Sequence, residues 1–371
     1  MHQKKKILFI IAGLVGGGAE NALVNLLNAL DKNNYEIDLL VIFADKIIKE
    51  KLRNVNIYVL FPSNKNFFYK LAKHLYSDFK LKGVLRMITR CRINKSYDTI
   101  ISYVEGNTLL YHSFLYDRTK NNVSWVHTDF VENHWSKRHF VRDDEYKAYT
   151  SLNKLVFVSE YAKNQFAKVF DLPNTINQYV CANIINVDDI KAKSLAPIDV
   201  NKNKFTICSV GRLEEVKGYD MVIDAAKILK DRHINVDFWI VGIGAQEEKL
   251  KNQVIKNQCE DIVHFWGYKS NPYPYMLMAD VYLSSSYAEG LPLVLCEARC
   301  LGKPIIATKT IGALELLKNY KNCKLIDMST MAIVNAIEEY TQSQWRLDTT
   351  EDILKEYNAC DLLDVLYSDI L

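Results

Sequence analysis

Four charged residues in the second half of the chain stand where parallel strands would deliver them to a ligand. Arg212 and Lys217 follow the apolar run Phe205–Val210 in the order Gly211-Arg212-Leu213-x-x-x-Lys217-Gly218. A cation at the carboxyl end of a parallel strand enters the crevice in which such sheets bind ligands. A guanidinium grips phosphate oxygens in pairs and an ammonium acts as a point charge, so the two together suit a pyrophosphate. Glu289 and Glu297 lie in the run Ser284-Ser285-Ser286-Tyr287-Ala288-Glu289-Gly290-Leu291-Pro292-Leu293-Val294-Leu295-Cys296-Glu297-Ala298. Here a polar loop leads into a helix near Pro292, a residue that has no N–H to leave unsatisfied in a first turn. The free N–H groups of that turn face the same crevice. Glu297 falls about a turn inside an otherwise apolar helix, a costly place for a carboxylate without partners. The two hydroxyls of a ribose would supply them. The plainer alternative is a pair of solvated strand-end cations, with each Glu a cap or an ion-pair partner.

The first half carries a glycine-rich turn, Gly13-Leu14-Val15-Gly16-Gly17-Gly18-Ala19-Glu20, between an apolar run and a helical pattern. Backbone N–H groups at a helix start favour an anion there. The turn spells neither G-x-G-x-x-G nor a Walker motif with its lysine. Gly242-Ile243-Gly244 is a shorter fragment, in which glycine permits close approach of a ligand or simply a tight turn. His127, in Trp125-Val126-His127-Thr128-Asp129, closes another strand-like run; a lone histidine of this kind is more often structural.

Alternating elements must position these residues. The 371 residues suggest two domains at about 150 residues each. Hydrophobic residues make up 49% and charged residues 25%, which excludes a disordered or fibrous chain. With 47 Lys and Arg against 44 Asp and Glu, the net charge of +3 argues against a dedicated nucleic-acid binder. The eight cysteines form no C-x-x-C pair and no zinc spacing, as expected of core residues in a reduced, cytoplasmic protein. Lys4-Lys5-Lys6 and the apolar residues after them imitate a secretion signal, but no A-x-A-like cleavage site closes the run. It reads instead as a buried strand, a glycine-rich loop and a helix. No segment approaches the roughly 18 apolar residues of a membrane-spanning helix.

Short apolar runs at 7–11, 37–43, 100–103, 123–126 and 155–158 read as buried parallel strands with helices between them. The rhythm breaks over 187–203, which puts a linker near residue 195. It restarts with strands at 205–210, 236–241, 262–265, 281–284 and 304–307 and helices at 221–229 and 293–300. The expected division is a first α/β domain over 1–190, completed by a C-terminal helix at about 351–371, and a second over 191–350.

Glu289-x₇-Glu297, with Gly290-Leu291-Pro292 after the first Glu, resembles the E-x₇-E signature of retaining GT-B glycosyltransferases of the large family four. Gly211-Arg212-Leu213-x-x-x-Lys217-Gly218 resembles the G-R-L-x-x-x-K-G element of that family. Val241-Gly242-x-Gly244, Phe265-x-Gly267 and Gly16-Gly17-Gly18-Ala19-Glu20 match its other landmarks, in order, from residue 7 to about 320. One departure is Ile311 in Thr310-Ile311-Gly312-Ala313-Leu314-Glu315, where the family commonly has a second glycine.

The resemblance implies an α/β fold of GT-B architecture, two Rossmann-like parallel-sheet domains facing a deep cleft. It implies a retaining hexosyltransferase that moves sugar from a nucleotide-diphosphate donor, a UDP-sugar first, to a glycan or lipid-linked acceptor in surface polysaccharide or glycoconjugate synthesis. By similarity, Arg212 and Lys217 would neutralise the leaving diphosphate, Glu297 would bind the ribose and Glu289 the donor sugar. Backbone N–H groups of Gly17, Gly18, Gly290, Leu291 and Leu293 would cradle sugar and phosphate, and Tyr268 would sit near the nucleobase. His127 would contact the donor sugar near its anomeric centre. Glu105 and Asp129 would face the acceptor or cap turns. With cations and helix N-termini carrying the charge, no metal and no other cofactor is expected.

Lys65 to Lys95 holds nine cations against the single acid Asp78, interleaved with aromatic and aliphatic residues. Basic amphipathic segments bind anionic membrane surfaces, which suggests peripheral docking on the cytoplasmic leaflet; a solvated helical face is the plainer alternative. Other readings of the whole are a non-catalytic GT-B partner or chaperone subunit and a sugar-nucleotide epimerase of the same fold. A nicotinamide oxidoreductase is disfavoured, because neither glycine-rich loop completes the dinucleotide fingerprint.

Overall fold

The apolar run after Lys4-Lys5-Lys6 is the middle of a sheet. A computed structural model describes residues 3–14, 18–44, 52–289, 292–342, 363 and 365–371. The chain forms two compact units, Met1–Ile184 with Tyr357–Leu371, and Ile185–Glu356.

The first unit is built on seven strands: β1 (Lys5–Ile11), β2 (Tyr35–Phe43), β3 (Asn56–Phe61), β4 (Thr99–Ser102), β5 (Asn122–Val126), β6 (Lys154–Phe157) and β7 (Asn177–Val180). All pair in parallel, in the spatial order β3-β2-β1-β4-β5-β6-β7. β1 is sandwiched laterally, Ile7 opposite both Ile37 and Thr99. Helices cover both faces of such a sheet, so its central strands can be continuously apolar. Accordingly Ile7 to Ile11 are all buried. The helix Gly18–Ala29 buries Ala22, Leu23, Leu26 and Leu27, a stripe at helical spacing.

The second unit has six strands: β8 (Phe205–Val210), β9 (Val236–Val241), β10 (Val263–Gly267), β11 (Val281–Ser284), β12 (Ile305–Thr308) and β13 (Cys323–Ile326). They too are parallel, in the order β10-β9-β8-β11-β12-β13. This is the doubly wound order, and it reverses between β8 and β11. A core of Ile207, Val222, Ala226, Leu229, Phe238, Ile240, Leu283, Ile306 and Ile337 lies under the helices of this unit.

Every strand expected from the sequence forms, with ends shifted by at most two residues. The strands not anticipated are β3, β7 and β13, and all three are sheet edges. An edge strand has a solvated side and needs no continuous apolar run. β7 is Asn-Gln-Tyr-Val with no buried residue. The break expected over 187–203 begins instead with a helix, Val187–Ser194, capped by the Asn186 side chain on the Asp189 N–H. It packs on helices Tyr273–Met278 and Leu293–Cys300, so the chain enters the second unit at Ile185, ahead of the expected linker. Of the C-terminal stretch expected to be helical, the residues up to 362 lie outside the described residues. Leu366–Ile370 forms a helical turn on the first unit.

Candidate active site

The switch point between β8 and β11 is where a doubly wound sheet opens a crevice, and the loops after those strands carry Gly211–Gly218 and Ser285–Glu289. The first loop leaves β8 at Val210, buries Leu213 completely and makes a short helical turn, Glu215–Lys217. Gly218 has φ of 62°, in the left-handed region. A Cβ there would stand 2.2 Å from the Ser285 carbonyl oxygen. Glycine at this position therefore lets the two loops meet.

Hydrogen bonds sew them together. Ser285 Oγ donates to the Lys217 carbonyl at 2.8 Å, and the Tyr287 N–H donates to the Val216 carbonyl at 2.8 Å. The result brings Lys217 Nζ onto Glu289 Oε1 in an ion pair. Ser286 Oγ donates to the same carboxylate oxygen at 2.7 Å. Glu289 is also held through its backbone, whose carbonyl accepts from the Gly312 N–H at 3.2 Å. Gly312 lies in the helix Ile311–Leu317, capped by Thr310; the Ile311 departure leaves this contact in place. Lys217, Tyr219, Ser284, Ser285, Ser286, Glu289 and Val294 line one small cavity.

Arg212 is exposed at the same strand end, and its side chain has no hydrogen bond or ion pair among the described residues. Leu293 is half-buried and opens the helix Leu293–Cys300. Glu297 lies within that helix and accepts from Tyr273 Oη at 3.2 Å. Burial raises the Tyr273 phenol, and the Glu297 charge adds to it, so the phenol stays a donor to this carboxylate. Tyr268 is solvent-exposed just after β10. Gly242 and Gly244 prove to be packing glycines. A Cβ on either would overlap the backbone of Gly211 or Leu213, at 1.9 and 2.4 Å.

In the first unit His127 follows β5, half-buried beside the Tyr103 ring with centroids 5.0 Å apart. Its Nε2 has no hydrogen-bond partner among the described residues. Burial pushes the imidazole down to about 4, against a hydrogen bond with the Tyr103 backbone that acts the other way. Glu105 is fully buried behind it. Its carboxylate accepts from the His127 N–H at 3.1 Å and from Trp135 Nε1 at 3.0 Å. Burial pushes the Glu105 carboxyl up, and those donors, with Thr128, pull it back. Asp129 accepts from the Val131 and Glu132 N–H groups on one oxygen and from Tyr161 Oη, at 2.6 Å, on the other. These contacts match the turn-capping alternative for Asp129, and they make Glu105 a residue that positions the His127 segment. Gly18 opens its helix and is exposed. Gly17, Gly290 and Leu291 lie outside the described residues.

Two sets of partners do not follow from the sequence motifs: Ser285 and Ser286 for Lys217 and Glu289, and Tyr273 as the donor to Glu297. The run of three serines at a strand end was the available signal for the first two. Among the described residues, no three His, Cys, Asp or Glu side chains group as a metal site, and no helix is long and apolar enough to cross a membrane.

A fold of two doubly wound parallel sheets is shared with solved proteins. Anabaena HepE, crystallised in complex with UDP and glucose, superposes with a TM-score of 0.76 at 18% identity, covering 98% of this chain and 100% of its own. The fold is thus the GT-B fold of such glycosyltransferases. Residues 191–359 match the family of glycosyl transferases group 1, and this match, with the relatives below, marks the chain as a glycosyltransferase. An uncharacterized glycosyltransferase of Haemophilus influenzae is 29% identical over 88% of this chain and 87% of its own. A lipopolysaccharide core biosynthesis glycosyltransferase of Rhizobium meliloti, LpsD, is 25% identical over 48% of this chain and 50% of its own.

Proposed function

We propose that this enzyme is a retaining, metal-independent hexosyltransferase that moves sugar from a UDP-sugar to a glycan or lipid-linked acceptor in surface glycoconjugate synthesis. The observation that carries it is the meeting of Lys217 and Glu289 at the switch point, with the Ser285 hydroxyl joining the two loops, the Ser286 hydroxyl on the Glu289 carboxylate, and the Arg212 side chain without a partner among the described residues at the same strand end. The UDP complex of HepE supports the choice of nucleotide. The LpsD relationship supports an acceptor on a lipid-linked glycan.

In this reading Arg212 and Lys217 take the charge of the departing diphosphate. The ammonium is drawn from Glu289 toward phosphate, which frees that carboxylate to accept from a donor-sugar hydroxyl. Glu297 accepts from the ribose hydroxyls, its carboxylate steadied by Tyr273. Backbone N–H groups of Gly17, Gly18, Gly290, Leu291 and Leu293 hold sugar and phosphate, and Tyr268 lies against the base. His127, neutral at physiological pH, serves the sugar as a hydrogen-bonding group and not as a cation. The acceptor oxygen bonds to the anomeric carbon on the face the diphosphate leaves, the carbon–oxygen bond to phosphate breaks, and the hydroxyl proton passes to the departing phosphate oxygen. Fixed cations and N–H groups stabilise the charge that develops there.

The test is a donor screen. The purified protein is incubated with UDP-, GDP- and ADP-sugars, following thermal stabilisation and nucleotide release. We expect one UDP-sugar to stabilise it selectively, turnover to survive excess EDTA, and the product to keep the donor's anomeric configuration by NMR. Lys217→Ala should lower turnover by about 10²–10³-fold, the scale of losing one stabiliser of developing charge. Activity lost in EDTA, or an inverted product, refutes the corresponding part. Stabilisation by no nucleotide-sugar would favour the non-catalytic partner.

A further inference from the structure

The helix Phe67–Ser77 is apolar on two faces. One face is core: Tyr69, Ala72 and Tyr76 are buried among Phe43, Phe61 and Tyr111. At 100° per residue Phe67, Leu71 and His74 fall together on the opposite side, with Phe68 on its flank. Phe67 is 71% exposed and Phe68 70%. The exposed character continues past the helix through Phe79 and Leu81 to Met87, on the helix Gly83–Arg92 that packs beside it. Ring contacts join part of it: Phe67 meets Phe68 edge-on at 5.8 Å, and Phe79 meets His74 at 5.7 Å. A single exposed hydrophobe needs no explanation, but six within one short stretch mark a surface that is covered in use.

The cations of the stretch separate into three groups. Lys82, Arg90 and Lys95 pair with Asp144, Asp117 and Asp38. Lys73 and Arg92 lie over the Tyr69 and Tyr58 rings. Lys65, Lys70, Lys80 and Arg86 are exposed and have no ion pair or ring contact among the described residues. Those four flank the exposed aromatics, and the single acid of the stretch, Asp78, is paired with His74.

We infer that this face seats in an anionic lipid bilayer, with Phe67, Phe68, Phe79, Leu81 and Met87 entering the headgroup boundary and Lys65, Lys70, Lys80 and Arg86 binding lipid phosphates. Long lysine stems can lie along apolar surface while their heads stay at phosphate level. Apolar burial and attraction to anionic lipid are the two terms that hold an interfacial helix. A second copy of the chain is disfavoured as occupant, because a two-fold contact through this face would bring the same unpaired cations against each other. The inference rests on the lipid-linked acceptor proposed above for its purpose.

The experiment is sedimentation of the full chain with vesicles of phosphatidylcholine alone and of phosphatidylcholine mixed with phosphatidylglycerol. We expect binding to the mixed vesicles only, weakened by salt. The pair Phe67→Ser and Phe68→Ser, and separately Lys70→Glu with Lys80→Glu, should each lower the partition coefficient about tenfold or more. All these side chains are exposed, and melting curves report whether the variants stay folded. Equal binding of wild type and both variants, or equal affinity for neutral vesicles, overturns the inference. So does self-association in solution that the phenylalanine substitutions abolish, which would assign the face to a second copy. Stabilisation by a UDP-sugar, measured without vesicles on the same preparations, reports independently on the proposed transferase.

Discussion

His112, His127 and His139 are held in their neutral form by the first unit. His112 is fully buried between Ser102 Oγ, 3.1 Å away, and Asn122 Oδ1, 3.0 Å away, and burial pushes it down to about 3. Burial takes His127 and His139 to about 4, with the charges of Lys73 and Arg138 adding to the effect at His139. Each folded value lies below the ordinary 6.5, so between pH 6.5 and about 4 the unfolded chain binds protons that the folded chain does not. Stability therefore rises with pH through that window and is lost as pH falls through it. We expect the urea midpoint of the first unit to drop from pH 6.5 to pH 4, and His112→Gln to flatten the drop. A midpoint independent of pH over this range would show that these groups titrate alike folded and unfolded. At the same scale, Glu105 behind His127 and Tyr273 behind Glu297 are positioning residues, each holding a group that the proposed chemistry uses.

A loop pair is the unit of the site at the next scale. The turn after β8 and the turn after β11 fit together because Gly218 has no side chain and adopts a left-handed φ of 62°. An alanine there meets both a conformational cost and the Ser285 carbonyl, 2.2 Å from its Cβ. We expect Gly218→Ala to destabilise the second unit by more than about 1 kcal/mol and to weaken stabilisation by the donor sugar. Gly83 is the control. It opens a helix, and a Cβ added to it meets nothing within 4 Å. Gly83→Ala should be neutral or stabilising by up to about 1 kcal/mol. Urea titration of both variants decides; equal costs would mean that the loop contact does not depend on glycine.

Across the whole chain, the last residues belong with the first. Tyr367 stacks on Tyr35 with ring centroids 5.3 Å apart, and its Oη accepts from the Asp31 N–H at 2.9 Å. The Ile370 carbonyl accepts from Asn121 Nδ2 and Lys154 Nζ, at 3.0 and 3.3 Å. Leu366 and Ile370 are buried in the first unit although the second unit intervenes in sequence. Leu366→Ala should cost the first unit about 2–5 kcal/mol, as large-to-small changes in a core do. Hydrogen exchange should then quicken in β1 and β2 and stay unchanged in β8 to β12. Equal quickening in both units would contradict this assignment of the C-terminal turn.

Sequence alone determined the parts whose physics is local. Continuous apolar runs such as Ile7–Ile11 and Phe205–Val210 can exist only where a strand is covered on both faces, so the central strands were legible. Charged residues at the ends of those runs were legible as a site for the same reason, because the strand ends set their location. Edge strands were not legible: β7 is half solvated and polar, and only its neighbour β6 makes it a strand. Partners distant in sequence were decided by the tertiary structure. Lys217 meets Glu289 because the sheet order sets β8 beside β11, and Tyr273, which precedes β11, meets Glu297, which follows it; no local pattern encodes either pairing. The same holds for the segment 67–87: its composition was plain, but only packing separated Tyr69 and Tyr76, which the core takes, from Phe67 and Phe68, which it leaves to solvent.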